Sequence, residues 1–78
     1  MKDALTPSEA ADVIERFLDE AQRYPQEWND FIEGRKVDEA VQPYRKKCYE
    51  LDPLVNRPGM PDAEAVEELK KIVIALRK

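Results

Sequence analysis

Apolar side chains recur at intervals of three and four residues over four stretches of this chain, and this spacing predicts four amphipathic α-helices. The predicted helical ranges are 7–24, 25–33, 38–51 and 62–77. Neither the alternating pattern of a β-strand nor an internal repeat is visible in the sequence. We therefore predict the all-α class, with about four unequal helices in one compact bundle and residues 1–78 forming a single small domain.

The first predicted helix has a well-defined start. Thr6 can act as the cap, Pro7 suits the first helical position, and Glu9 stands three residues after the cap, where it completes a capping box. The helix is expected to end near Tyr24 or to bend there, because Pro25 has no N–H group and cannot extend the hydrogen-bond ladder.

Glycine and proline also set the expected limits of the second and third helices. The short second helix should end before Gly34, a residue that suits the left-handed cap position. Two starts are open for the third helix. Either Asp38 is its cap, or the helix begins at Pro43 and residues 38–42 form a separate turn.

Residues 52–61 are predicted to form a Pro-rich loop between the third and fourth helices. Pro53 is expected to end the third helix, since its ring cannot donate a backbone hydrogen bond. Pro58 and Gly59 then disfavour regular structure, and the fourth helix starts again at Asp62.

The balance of charges narrows the choice of partner. The chain has 17 acidic and 13 basic residues, which gives a formal net charge of −4. This excess repels nucleic acid and anionic lipid and attracts basic surfaces. We therefore expect a basic protein as partner, and we regard nucleic acid and membranes as disfavoured.

Cysteine content and hydropathy predict a cytoplasmic protein. Cys48 is the only cysteine, so an internal disulfide is excluded. Neither the first residues nor any later stretch has the apolar run of a signal peptide or a membrane-spanning helix. The expectation is a soluble, intracellular chain.

The side chains available for catalysis are few. The chain contains no histidine, the most common general base near neutral pH and the usual partner of a nucleophilic serine or cysteine. Cys48 occupies an apolar position of its predicted helix, which favours a buried structural role over a reactive one. No enzymatic activity, cofactor or metal site is predicted.

Asp12, Glu15 and Asp19 form an acidic ridge along the first predicted helix. Hard cations need more converging oxygens than this ridge offers, commonly from a turned loop, so a metal site is not expected. Ion pairs within the helix, from Asp12 to Arg16 and from Asp19 to Arg23, are expected instead. The ridge is also the candidate surface for steering a basic partner.

Trp28, Phe31 and Ile74 are the candidate apolar anchors for that partner. A small core also needs large apolar side chains, so burial is the default expectation for Trp28 and Phe31. Ile74 is expected to be exposed, because it lies roughly 140° from the centre of the apolar stripe of its helix. Together with the acidic ridge, these residues support the hypothesis of a non-enzymatic protein-binding module, such as an adaptor, an inhibitor or a small regulatory subunit.

Two alternative functions use other features of the sequence. A locally basic segment, residues 35–49, could contact phosphates while its tyrosines stack on bases, which would make the chain a nucleic-acid-binding protein. The candidate phosphate contacts are Arg35, Lys36, Arg45, Lys46 and Lys47. The other alternative is a self-associating structural protein, for which Ile74 would form a homodimer contact.

Overall fold

The computed structural model describes residues 4–19, 25–57 and 59–78, and within these ranges it contains four α-helices. They are α1 (Pro7–Leu18), α2 (Pro25–Glu33), α3 (Gln42–Val55) and α4 (Ala63–Arg77). Helix α1 packs against α2 and α4, and α3 packs against the same two helices, so the four form a ring around one core. The predicted all-α bundle is confirmed.

The start of α1 follows the sequence prediction. The backbone N–H of Thr6 donates to Glu9 Oε1 at 2.9 Å, and the N–H of Glu9 donates to Thr6 Oγ1 at 3.1 Å, which completes the capping box. The predicted end at Tyr24 is wrong, because α1 ends at Leu18 and Asp19 adopts an extended backbone. The remainder of the predicted helix, residues 20–24, lies outside the described residues.

The start of α3 corrects the predicted range of 38–51. The helix begins at Gln42, and residues 39–41 form a separate turn in which Val41 N–H donates to the carbonyl of Asp38 at 2.8 Å. Of the two predicted starts, the structure therefore has the one near Pro43. Asp38 does not cap the helix, because the cap position belongs to Val41, which makes no side-chain capping bond.

The segment before this turn is tied to the segment before α1. Leu5 N–H donates to the carbonyl of Lys36 at 3.0 Å, and Asp38 N–H donates to the carbonyl of Leu5 at 2.9 Å. These two bonds form an isolated parallel bridge between Leu5 and Val37, and both of these side chains are buried. Val37 therefore contributes to the core from extended backbone and not from a helix.

The end of α3 was also predicted wrongly. The helix passes through Pro53 and continues to Val55, so the first four residues of the expected 52–61 loop are helical. Val55 is fully buried, and the next N–H, that of Asn56, donates to the carbonyl of Asp52 at 2.8 Å. Burial of the last turn therefore outweighs the single hydrogen bond that proline removes.

The centre of the core is Trp28, whose side chain is fully buried. Its ring stacks on Phe17 of α1, with centroids 4.2 Å apart and planes inclined by 13°, and lies 6.2 Å from the ring of Phe31. The indole N–H donates to Asp52 Oδ1 of α3 at 2.7 Å. One side chain of α2 thereby connects α1, α2 and α3, and its polar atom is satisfied within the protein.

Removal of the indole acceptor should destabilise the fold. Asp52→Ala leaves a buried N–H without a partner, and we expect the free energy of unfolding to fall by roughly 1–3 kcal/mol in a urea titration. Asp52→Asn is the matched control, because its amide oxygen can still accept this bond, and it should retain most of the stability. Equal losses in the two variants would contradict a role for the hydrogen bond.

Candidate protein-binding surface

The acidic ridge lies on the side of α1 that faces away from the core. The helix buries Ala10, Ile14 and Phe17, and this leaves Asp12 half-buried while Glu15 and Asp19 are exposed. For Asp12 and Glu15 the local reason is the helical period, since these two positions are out of phase with the buried ones, whereas Asp19 follows the last residue of α1 in extended backbone. The structure therefore presents the three predicted carboxylates on one surface.

Arg77 of α4 is bound to this ridge. Its Nη2 donates to Asp12 Oδ1 at 2.7 Å and also to Glu15 Oε1. Hydrogen bonds to Asp12 and then to Glu15 raise the pKa of Arg77 above its ordinary value. These bonds join the last turn of α4 to the middle of α1, and they demonstrate that the two carboxylates together can hold one guanidinium group.

Sequence reasoning did not identify Arg77 as part of the site. Its position in the last turn of α4 is ordinary for a basic residue, since cations are favoured at the C-terminal end of a helix. The sequence does not reveal that α4 packs along α1. This packing brings Arg77 and Asp12, 65 positions apart, into contact.

Arg16 does not pair with Asp12 as predicted. It instead forms a bidentate ion pair with Glu27 of α2. Arg16 Nε donates to Glu27 Oε1 at 3.0 Å, and Arg16 Nη2 donates to Glu27 Oε2 at 2.7 Å. The hydrogen bond to Glu27 raises the pKa of Arg16, while Asp12 adds only a weaker attraction. The other predicted pair cannot be compared, because Arg23 lies outside the described residues.

The three candidate anchors are divided between core and surface. Trp28 and Phe31 are buried, so their side chains serve the core and are not accessible to a partner. Ile74 is 60% exposed and lies one turn before Arg77 on α4. Residues separated by three positions are neighbours on a helix surface, so Ile74 lies beside the cluster that Arg77 forms with the ridge. We call Asp12, Glu15, Asp19, Ile74 and Arg77 the α1–α4 surface.

The five basic residues of the alternative nucleic-acid site differ in their surroundings. Arg45 is used internally, since its Nη1 donates to the carbonyl of Ile32 at 3.1 Å and its Nη2 donates to Gln42 Oε1 at 3.1 Å. Arg35 and Arg45 line different grooves of the surface. Lys36, Lys46 and Lys47 are exposed.

Cys48 is fully buried in the core, as predicted from its position on the apolar stripe. Burial raises the pKa of its thiol to about 12. A thiolate is therefore scarce near neutral pH, and Cys48 lacks the exposed, electropositive setting of a reactive cysteine.

Comparisons with known proteins return no relative for this fold and surface, since no family model, no curated protein and no solved structure matches the chain. Among the described residues, no group of three or more Cys, Asp or Glu side chains is arranged to hold a metal ion. None of the helices in the described ranges is long and apolar enough to cross a membrane. The functional proposal accordingly depends on the geometry and charge of the surface.

The thiol of Cys48 should react slowly in the folded protein. A pKa of about 12 in place of 9.0 lowers the thiolate fraction roughly a thousandfold at pH 8. We expect a disulfide reagent to modify the native chain at least about a hundredfold more slowly than the urea-unfolded chain at pH 8. Similar rates in the two states would contradict the burial of Cys48.

Proposed function

We propose that this chain is a non-enzymatic protein-binding module, acting as an adaptor, an inhibitor or a small regulatory subunit, whose α1–α4 surface receives a basic segment of a partner protein. The observation that carries the proposal is the binding of the Arg77 guanidinium by Asp12 and Glu15. A partner's arginine would displace Arg77 from these two carboxylates, which are already arranged to bind a guanidinium group.

Ile74 supplies the apolar element of the proposed surface. Exposed aliphatic side chains are common, but this one lies one helical turn from a charged cluster. An interface typically combines an apolar centre with a polar rim, and Ile74 with the neighbouring carboxylates has this composition. The partner segment we propose therefore carries an apolar side chain next to its basic residues.

The net charge of −4 also supports the proposal, because it attracts a basic partner over long distances. Opposite charges accelerate encounter with a basic partner, and the acceleration declines as salt screens the field. Asp19, exposed at the end of the ridge, extends the acidic surface beyond the two carboxylates that hold Arg77. A cytoplasmic location is part of the proposal, because the single cysteine permits no internal disulfide.

Removal of the internal guanidinium should strengthen binding of a basic segment. Arg77→Met releases Asp12 and Glu15, and we expect it to lower the Kd for a blocked peptide of leucine and arginine roughly threefold to tenfold. Fluorescence anisotropy at low salt provides the measurement. Lys71→Met is the control, since it makes the same charge change where the lysine faces Glu68. Equal gains in both variants would attribute the effect to net charge and contradict a site at the ridge.

Loss of the apolar anchor should weaken the same complex. Ile74→Ser is expected to raise the Kd of the leucine–arginine peptide about fivefold or more, while the far-UV circular dichroism remains unchanged because the side chain is exposed. Met60→Ser, which changes a more exposed apolar residue in the loop before α4, is the matched control. Peptide affinity that is insensitive to Ile74→Ser would exclude this residue from the interface.

A further inference from the structure

The α2–α3 groove is a concave surface of about 890 Å³ that is open to solvent and bordered by the last turn of α2 and the first half of α3. Tyr49 lines it and is 57% exposed, and the exposed Pro43 lines it from the first turn of α3. Of the aromatic side chains in the described ranges, Tyr49 alone is exposed. Because aromatic side chains are frequent anchors of protein interfaces, Tyr49 makes this groove a candidate contact surface.

Charged side chains of both signs surround Tyr49. Glu33 of α2, Glu39 of the turn before α3 and Glu50 of α3 line the groove together with Lys46. All four are exposed, and in the part of the chain that the structure describes none of their side chains forms an ion pair or a hydrogen bond. Their charges are therefore not compensated by neighbours within the chain.

Arg45 supplies the second positive charge of the groove. Its guanidinium group donates to the carbonyl of Ile32 at 3.1 Å and to Gln42 Oε1 at 3.1 Å, and neither of these acceptors is charged. Three carboxylates and two cations give the groove a formal charge of −1, compared with −4 for the whole chain. The groove is therefore close to neutral, whereas the ridge on α1 is acidic.

A nearly neutral surface with unpaired charges of both signs is complementary to a second copy of itself. A purely basic or purely acidic partner segment would place some of these charges against charges of their own sign. In a twofold-symmetric contact every pair is formed twice, so one lysine–glutamate contact implies a second. Two chains that each carry a charge of −4 also repel each other least when their acidic faces point apart.

We infer that two copies of this chain associate through the α2–α3 groove, with their α3 helices antiparallel about a twofold axis. Lys46 of one protomer faces Glu50 of its partner, and the axis passes level with position 48, so that both reciprocal pairs form. A rise of about 1.5 Å per residue then places the two Tyr49 residues about 3 Å apart along the helix direction. Their rings can stack at that offset, which gives the contact an apolar centre.

This inference goes beyond the proposed function and does not depend on it. In the ring of helices, α3 packs against α2 and α4 but not against α1, so the groove side of α3 lies across the core from the acidic ridge. Association therefore leaves the ridge of each protomer accessible. A dimer presents the α1–α4 surface twice, and a partner with two basic segments gains affinity by attaching to both.

Sedimentation equilibrium of the full chain, from about 10 μM to about 1 mM, tests the inference. We expect the average mass to rise toward twice the monomer mass over this range. Lys46→Glu and Glu50→Lys each replace both lysine–glutamate pairs with pairs of like charge, and each should raise the dimer Kd about tenfold or more. A chain that stays monomeric at about 1 mM would overturn the inference.

An equal mixture of these two variants separates a contact between protomers from a change within one protomer. In the mixed dimer both pairs again have opposite charges, so the Kd should return to within about threefold of that of the unmodified chain. Mixing cannot repair a folding defect or an altered contact between positions 46 and 50 of one helix. A mixture that associates no better than the separate variants would overturn the inference.

Three further variants locate the contact. Tyr49→Ser should raise the dimer Kd about fivefold or more, because the stacked rings are lost. Ile74→Ser removes an exposed apolar side chain outside the groove, and Lys78→Glu repeats the charge change of Lys46→Glu at an exposed position beyond α4. Both should leave the Kd within about twofold. Association that responds to Ile74→Ser but not to Tyr49→Ser would place the contact on α4 and overturn the inference.

Discussion

The buried indole of Trp28 is the interaction on which the rest of the structure depends. Its ring stacks on Phe17 of α1, its backbone belongs to α2, and its N–H donates to Asp52 of α3. The large apolar ring draws three helices together, and the directional hydrogen bond fixes how α3 approaches them. An apolar side chain in place of Trp28 would still bury surface among the three helices, but it could not donate the hydrogen bond to Asp52. The indole therefore both stabilises the packing of the helices and fixes their orientation.

The proposed α1–α4 surface is a consequence of this core. Because α1 turns Phe17 inward, it must turn Asp12 and Glu15 outward, and two arginines then attach the neighbouring helices to it. Arg77 ties α4 to the outward carboxylates, while Arg16 ties α2 to the opposite flank through Glu27. The same ion pairs fix the positions of Asp12, Glu15 and Arg16 on the surface of α1. Each exposed pair stabilises the fold little, so its main effect is to position charge.

Local signals in the sequence predicted the helices and their faces but not how they meet. The Thr6 capping box and the exposure of Ile74 follow from short-range spacing, and both are found as expected. Pro53 was misread because its effect depends on tertiary burial at Val55, which outweighs local propensity. Arg77 could not be assigned to the ridge for a related reason. Arg77 is 65 positions from its partner Asp12 in α1, and the spacing of apolar residues within a helix does not show which helices pack together.

Intrinsic fluorescence tests the central claim most directly, because Trp28 is the only tryptophan in the chain. An enclosed indole predicts a native emission maximum well to the blue of that in urea, with weak quenching by acrylamide. Both signals should change in the same urea transition as the far-UV circular dichroism, since the ring cannot be released without separating three helices. Native emission and quenching equal to those of the unfolded chain would contradict the account.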